Sequence, residues 1–279
     1  MRYANEREWF RLWIAEGYSA RQLADQSGHS PAKLYRIINY HLPQPAPLML
    51  NDLRQCRHLI LDGTYLHRPQ TLIALMDGER NNVICGRYPV SESSEGQLTA
   101  FLGPLKNKGL RPRSFTVDGN PNVTRVLRKL WPGVRVQRCL IHIQRQGLSW
   151  CRTSPKTTYA RKLRQLFRRV AKIRTSVDRD RFLQGVRQWE QAYFSLMQRP
   201  EAGKVFSDIK RAWSMLRRAL PDMFHYLDDP GIPISTNALE GYFSRLKDHY
   251  RRHRGLNPKK RNNYFQWYFY FSQKSHKND

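Results

Sequence analysis

Two acidic residues, Asp62 and Asp118, each follow an apolar segment and precede a glycine. Asp62 stands in the run H-L-I-L-D-G-T, and Asp118 in the run S-F-T-V-D-G-N. Two buried strands that end at these residues would bring the carboxylates together. Close carboxylates repel each other unless cations lie between them, so the pair predicts a site for Mg²⁺ or Mn²⁺ with oxygen ligands. Taken singly, each Asp-Gly pair is equally typical of a turn.

A third carboxylate, Glu240, lies in the run T-N-A-L-E-G-Y-F-S-R-L-K, which predicts a helix through Lys247. Asn237 and Glu240 are three residues apart, so an amide and a carboxylate point from the same helical face. Arg245 and Lys247 follow within two turns, where they could hold phosphate groups near a metal site. The alternative is a surface helix whose charges are solvated.

Cys139 and His142 form a C-x-x-H pair. This spacing can begin a zinc site, but two ligands are not four, and no second pair lies at a suitable distance. The alternative is a buried cysteine beside a hydrogen-bonded histidine. The other cysteines form no C-x-x-C motif, which argues against a disulfide framework and predicts a reducing compartment.

The elements that must position these residues can be read from the apolar periodicity. An antiparallel meander of three strands is expected first, followed by strands that alternate with helices, which together make a mixed sheet with parallel pairs. An almost wholly helical, arginine-rich block follows. The predicted strands are 58–66, 71–76, 82–90, 114–117 and 134–140, and the predicted helices are 97–108, 123–131 and those within 157–227.

Residues 5–42 contain the start and stop signals of three short helices. Ser19 and Gln22 predict a capping box, Gly28 a helix end, and Ser30-Pro31 an N-cap followed by a first-turn proline. This pattern predicts a helix-turn-helix, with a generic three-helix bundle as the alternative. In a helix-turn-helix the last helix enters the major groove, and its candidates for base or phosphate contacts are Lys33, Tyr35, Arg36 and Asn39.

The charge of the chain is strongly positive. Lys and Arg number 49 against 22 acidic residues, so the formal net charge is +27. Such an excess predicts a polyanionic partner and salt-dependent binding of nucleic acid, with an anionic membrane surface as the alternative. Aromatic residues interleaved with the basic ones favour nucleic acid. Arg251 and Arg252 should follow the DNA backbone.

The aromatic run near the C-terminus, residues 264–271, is expected to pack in the core rather than to stack on bases. The first residues contain no apolar signal-peptide core, and no run approaches the roughly 20 apolar residues of a membrane span. The sequence therefore predicts a soluble intracellular protein that does not bind membranes.

In combination and order, the motifs resemble the Mutator-like transposases of bacterial insertion sequences. The resemblance covers roughly residues 57–256 and rests on D-G-T at Asp62, V-D-G-N at Asp118, C-x-x-H at Cys139 and N-A-x-E-G-x-x-S-R-L-K around Glu240. It implies that Asp62, Asp118 and Glu240 form a DDE triad that binds two Mg²⁺ or Mn²⁺ ions. It also implies supporting roles for Asn237, His142 and Cys139 beside the active site.

The resemblance implies an α/β fold with a ribonuclease-H-like mixed five-stranded sheet and an all-helical insertion, preceded by a small helix-turn-helix domain. The expected boundaries are 1–42 for the helix-turn-helix domain, 43–56 for a linker and 57–279 for the catalytic domain, with the insertion at 150–230. The sequence departs from many relatives, which carry a longer DNA-binding region before the catalytic domain.

The chemistry that the resemblance implies is two-metal phosphoryl transfer on DNA. The expected protein is a transposase that cleaves and joins double-stranded DNA at terminal inverted repeats and inserts it into target DNA. Two ends must be brought together, so a homo-oligomer is expected in the synaptic complex, in the bacterial cytoplasm at the nucleoid. The alternatives are a ribonuclease-H-like nuclease or resolvase and a catalytically silent, transposon-derived DNA-binding protein.

Overall fold

The computed structural model describes residues 2–47, 53–200, 203–253 and 255–275. The chain divides into two compact units, which are discontinuous in sequence. The first unit contains residues 1–111 and 238–279, and the second contains residues 112–237. Among the described helices, none combines the length and the apolar character that crossing a membrane requires.

The first unit begins with helices, continues with strands and ends with helices. Residues 48–52, within the predicted linker, lie outside the described residues. The elements are α1 (Arg2–Ala15), α2 (Ala20–Ser27), α3 (Pro31–His41), a 3-10 turn (Leu53–Gln55), β1 (His58–His67), β2 (Gln70–Asp77), β3 (Asn82–Val90), α4 (Glu95–Asn107), α11 (Asn237–Arg251) and α12 (Pro258–Ser275).

The caps of the N-terminal helices follow the local sequence closely. The Ser19 hydroxyl accepts a hydrogen bond from the Gln22 backbone N–H, and the Gln22 side chain accepts one from the Ser19 N–H. Gly28 ends α2 at a φ of 68°, and the Ser30 hydroxyl caps α3, which opens with Pro31. The three predicted helices and their caps are confirmed, because each signal acts within a few residues.

The three strands of the first unit form the predicted antiparallel meander. β1 pairs with β2 so that Asp62 lies opposite Ala74 and Thr64 opposite Leu72, and β2 pairs with β3. Alternate residues of a strand share a face. Leu72 and Ala74 are buried in one core with residues of α11 and α12. Asp62 and Thr64 therefore lie on the face of β1 that carries these helices.

Aromatic residues fill the core of the first unit. Tyr264 and Phe265 of α12 are fully buried, which confirms core packing for the aromatic run. Trp267 meets Phe10 of α1 edge-on at 5.2 Å between ring centroids, and Tyr264 meets Trp13 at 5.6 Å. Residues 1–42 and α12 belong to the same compact unit, because α1 buries its aromatic side chains against the C-terminal helix.

The second unit contains two parallel strands and a helical block. β4 pairs with β5 in parallel, and α5 connects them. Residues 201–202, within the predicted insertion, lie outside the described residues. The elements are β4 (Ser114–Val117), α5 (Pro121–Leu130), β5 (Arg135–Arg138), α6 (Leu140–Cys151), α7 (Thr158–Val170), α8 (Ser176–Met197), α9 (Gly203–Ala219), a 3-10 turn (Leu220–Asp222) and α10 (His225–Asp228).

The predicted α/β class is confirmed, with five strands of mixed orientation in the described part of the chain. One boundary was wrong. The predicted strand 134–140 ends at Arg138, because Cys139 is already the N-cap residue of α6. The second unit contains β4, α5, β5 and α6 in addition to the residues of the predicted insertion.

The buried histidine His253 should make the stability of the protein depend on pH. Its ring lies 4.3 Å from that of Trp13, and its Nε2 lies 3.0 Å from the Trp13 carbonyl oxygen. Burial lowers the pKa of His253 to about 4. Between that value and the ordinary pKa near 6.5, the unfolded chain binds a proton that the folded chain does not. We therefore expect the free energy of unfolding to fall by about 3 kcal/mol as the pH drops through this window.

Urea unfolding at pH 7, 6, 5 and 4, followed by circular dichroism, measures this loss. In a His253→Gln variant the side chain can still donate to the Trp13 carbonyl but does not titrate. The loss of stability between pH 6.5 and 4 should therefore be smaller in the variant. Identical pH profiles for the two proteins would contradict the prediction.

Candidate active site and metal centre

The sequence had suggested that Asp62 lies at the end of a strand, but Asp62 lies inside β1. The strand continues because Thr64 and Tyr65 keep their pairing with β2. The Asp62 side chain is half-buried, and its Oδ1 accepts a hydrogen bond from the Gly63 backbone N–H at 2.9 Å. A carboxylate on a central residue of a paired strand is held more rigidly than one at a strand end.

Gly63 explains the D-G dipeptide at this position. A Cβ atom there would lie 1.7 Å from Oε1 of Glu92, just beyond β3, and 2.8 Å from a methyl group of Thr71. Glycine is therefore needed for Glu92 to reach across the strands. Neighbouring residues of a strand face opposite sides, so Glu92 approaches β1 from the face away from Asp62. The sequence around Glu92, S-E-S-S-E, predicts only a polar turn and gives no sign that this carboxylate reaches β1.

Helix α11 brings Glu240 to Asp62. One carboxylate oxygen of each residue lies within 4.8 Å of the other, and both side chains are half-buried. Two carboxylates at this separation are strongly stabilised by a divalent cation, for which oxygen ligands are well suited. These two carboxylates therefore lie close together within the first unit.

Lys247 forms a second contact between α11 and β1. Its ammonium group donates a hydrogen bond to the Thr64 hydroxyl, which links the end of the S-R-L-K run to the D-G-T run. Desolvation lowers the pKa of Lys247, and the nearby charge of Arg251 lowers it further. The threonine two residues after Asp62 and the lysine seven residues after Glu240 thus fix how α11 lies along β1.

Asp118 follows β4 directly, as predicted, and each residue of its D-G-N run has a separate role. Asp118 Oδ1 accepts a hydrogen bond from the Asn120 N–H at 2.9 Å. Asn120 then caps α5, with its Oδ1 accepting from the Asn122 N–H at 3.0 Å. Gly119 has a φ of +99°, and a Cβ there would lie 1.8 Å from the guanidinium carbon of Arg138. Arg138 donates from Nη2 to the Asp118 carbonyl oxygen at 3.1 Å.

Cys139 and His142 share Thr236 as a neighbour. Cys139 is fully buried, and its sulfur accepts a hydrogen bond from the Thr236 N–H at 3.3 Å. His142 Nδ1 lies 3.4 Å from the Thr236 hydroxyl. Burial raises the pKa of the Cys139 thiol, but hydrogen bonds from His142 and Thr236 outweigh it, and the net pKa is lowered.

These contacts match the buried cysteine with a hydrogen-bonded histidine that was the alternative to zinc. Within the described part of the chain, Cys139 belongs to no group of three potential metal ligands.

The candidate DNA-contacting residues of α3 lie on its solvent side. Leu34, Ile37 and Ile38 fill the core, whereas the Tyr35 side chain is 57% exposed and that of Tyr40 65% exposed. Lys33, Arg36 and Asn39 lie on this solvent side, and the Asn39 amide oxygen accepts a hydrogen bond from Lys260 at 2.9 Å. Tyr40 was not among the predicted residues, although the same helical spacing exposes it.

The remaining predicted residues lie on or beyond α11. Arg245 is exposed, and Asn237 is the exposed first residue of the helix. Arg251 donates to Asp248 at 2.6 Å, and Arg252 donates to the Gly17 carbonyl oxygen at 3.3 Å. Arg252 therefore ties the end of α11 to the turn after α1, in addition to any contact with DNA.

Comparison with known proteins found one family. A family model described as Transposase, Mutator family, matches residues 67–260, which is more than half of the 279 residues. The matched range includes Asp118, His142 and Glu240 and begins shortly after Asp62. No curated protein matches the chain.

The close approach of Arg138 to Gly119 generates a stability prediction. Gly119→Ala should push the guanidinium away from the Asp118 carbonyl, in addition to straining a positive φ. Gly133 is the matched control, because it has a φ of +85° and open space where a Cβ would be. We expect Gly119→Ala to lose about 1–3 kcal/mol more free energy of unfolding than Gly133→Ala, the usual worth of a charged hydrogen bond.

Chemical denaturation of the two variants and the wild type gives this difference directly. Equal losses in the two alanine variants would show that Arg138 moves without cost and that Gly119 is needed only for its backbone conformation.

Proposed function

Because this chain belongs to the Mutator family of transposases, we propose that it is a metal-dependent DNA transposase with a ribonuclease-H-like catalytic core. It cleaves DNA at the terminal inverted repeats of an insertion sequence and joins the ends to target DNA. The observation that carries the proposal is the pair of half-buried carboxylates, Asp62 and Glu240, with oxygens within 4.8 Å. A paired strand and a packed helix hold this pair in place.

Asp62, Asp118 and Glu240 would hold two Mg²⁺ or Mn²⁺ ions, as the resemblance implies. When bound, the ions supply an activated water or DNA 3′-hydroxyl and neutralise charge on the leaving oxygen of an in-line displacement. The donor set fits hard divalent cations, because carboxylate oxygens are their preferred protein ligands. No side chain of the triad needs to become covalently attached to DNA.

His142 is proposed as a supporting residue of the active site, as the resemblance implies. Its Nδ1 lies 3.4 Å from the Thr236 hydroxyl, and a hydrogen bond to one ring nitrogen orients a histidine that acts through the other ring nitrogen. Cys139 would act indirectly, by fixing Thr236 through the hydrogen bond to its sulfur. Asn237, three residues before Glu240 on the same helix, would contact the bound DNA.

The basic residues are proposed to hold the DNA. Arg245, Lys247, Arg251 and Arg252 would bind backbone phosphates near Glu240, while α3 would read the inverted repeat. Support comes from the net charge of +27 and from the exposed side chains on one face of α3. A homo-oligomer would bring two ends together, and we propose a location at the bacterial nucleoid.

The triad yields the central test of the proposal. Asp62→Asn, Asp118→Asn and Glu240→Gln should each reduce strand cleavage at least about 10²-fold, because each removes a charge that holds the metal ions. DNA binding should persist. Asp248→Asn, which neutralises an exposed carboxylate of the same helix, should leave cleavage within twofold of the wild type. Labelled DNA carrying the ends of the element, incubated with Mg²⁺ or Mn²⁺, provides the measurement.

The products distinguish the alternatives. Joined products from the wild type, lost in the triad variants and in EDTA, would establish a transposase. Nicked products without joining would instead identify a nuclease or resolvase. Binding without cleavage or joining would identify a silent DNA-binding derivative.

Helix α3 yields a second test. A Lys33→Ala and Arg36→Ala double variant should bind end DNA about 10-fold more weakly or worse, since a base contact is typically worth about 1–3 kcal/mol. The loss should be smaller on DNA of scrambled sequence. Arg21→Ala, on the exposed side of α2, is the control for charge alone. Fluorescence anisotropy in EDTA measures the wild type and both variants, and equal losses of affinity on both DNAs would show that α3 does not read sequence.

A further inference from the structure

A cavity of about 510 Å³ lies in the second unit, beside the loop that carries Asp118. Its lining combines the start of α5 with residues of β5, α9 and the following 3-10 turn. Four arginines face it, against one carboxylate. The lining residues are Gly119, Pro121, Thr124, Arg125, Arg128, Arg138, Met215, Arg218 and Asp222.

The single carboxylate of the lining is already neutralised. Asp222 accepts two hydrogen bonds from Arg128 Nη2, both at 2.8 Å, and its Oδ1 lies 3.6 Å from His225 Nε2. With four arginines against this one carboxylate, the lining of the cavity carries an excess of positive charge, although Arg125 also donates a hydrogen bond to the Asn122 side chain at 3.3 Å. Such an excess in a concave site favours an anion.

Arg138 is the most deeply placed of the four arginines. Its Nε is buried and has no hydrogen-bond partner in the structure, although its Nη2 donates to the Asp118 carbonyl. That buried Nε is closed off from solvent, so other atoms of Arg138 line the cavity.

The chemistry of the lining selects phosphate among anions. Guanidinium groups present N–H donors in a fork that matches phosphate oxygens. The volume of the cavity is enough for a phosphodiester with its attached sugar, and Gly119 in its lining is one residue from Asp118.

We propose that this cavity is a phosphate-binding subsite that holds one backbone phosphodiester of the DNA strand, with Arg125, Arg138 and Arg218 as its donors. The inference rests on the proposed function and names where the strand lies. Arg138 contacts the Asp118 carbonyl as well as lining the cavity, so a phosphate bound there sets the position of the strand relative to Asp118. These arginines are positioning residues and not catalytic ones.

An Arg125→Gln and Arg218→Gln double variant tests the subsite, because both side chains are exposed and the fold should tolerate their loss. Arg161→Gln with Arg187→Gln is the matched control, since both are exposed arginines of the second unit outside the cavity. Circular dichroism and thermal unfolding should show that both variants remain folded.

The probe is a duplex carrying the end of the element, in which one phosphate at a time is replaced by an uncharged methylphosphonate. Binding is measured in EDTA, so that no chemistry contributes. In the wild type, neutralising one particular phosphate should weaken binding about 10-fold. In the cavity variant, unmodified DNA should bind about 10-fold more weakly than in the wild type. Replacing that same phosphate by a methylphosphonate should not weaken binding by the variant any further. The salt dependence of binding, log K against log salt concentration, should also become shallower by about 1.

Equal losses of DNA affinity in the cavity variant and in the control would overturn the subsite. So would a loss in the cavity variant that depends on no single DNA phosphate. Stabilisation by inorganic phosphate that the cavity variant loses, without coupling to any DNA phosphate, would also overturn it and identify a site for free phosphate. Wild-type protein that shows the coupling but neither cleaves nor joins DNA would support the subsite and contradict the proposed function alone. A correct subsite further predicts that the cavity variant cleaves at less uniform positions, with the Mg²⁺ dependence unchanged.

Discussion

The packing of α11 on one face of β1 is the contact on which the first unit depends. It places Glu240 beside Asp62 and Lys247 against Thr64, so two carboxylates and an ammonium group share a half-buried surface. Bringing like charges together in this way opposes folding. The aromatic core beneath, with Tyr242 and Phe243 of α11 buried against residues of α12, supplies the apolar burial that keeps the helix in place.

In the second unit the like charges that oppose folding are positive. Arginines are dense along α7 and α9, yet Leu163, Phe167 and Leu216 remain fully buried, because the apolar residues recur at helical spacing. Most of the arginine side chains of these two helices are exposed, and Arg217 lies over the Trp213 ring at 5.1 Å. The fold therefore tolerates a large positive charge by keeping most of it at the surface.

The features that sequence analysis predicted are those encoded locally. The caps at Ser19 and Ser30, the meander and the D-G-N turn each depend on a few neighbouring residues. Two contacts were not predictable, that of Glu92 with Gly63 and that of Arg138 with Gly119. Each contact joins residues that are distant in sequence, and the glycine alone does not indicate which side chain packs against it. The apolar face of α1 was recognisable, but periodicity cannot show that its partner is α12, more than 240 residues later.

Because the first unit is discontinuous in sequence, it cannot be completed while the last residues of the chain are still to be synthesised. Phe10 and Trp13 are covered by Trp267 and Tyr264, and Glu240 also belongs to this last segment. Until residues 238–279 have been synthesised, α1 lacks its packing partner and the carboxylate pair does not exist. A polypeptide interrupted by premature termination anywhere in the second unit would therefore lack both the completed aromatic core and Glu240.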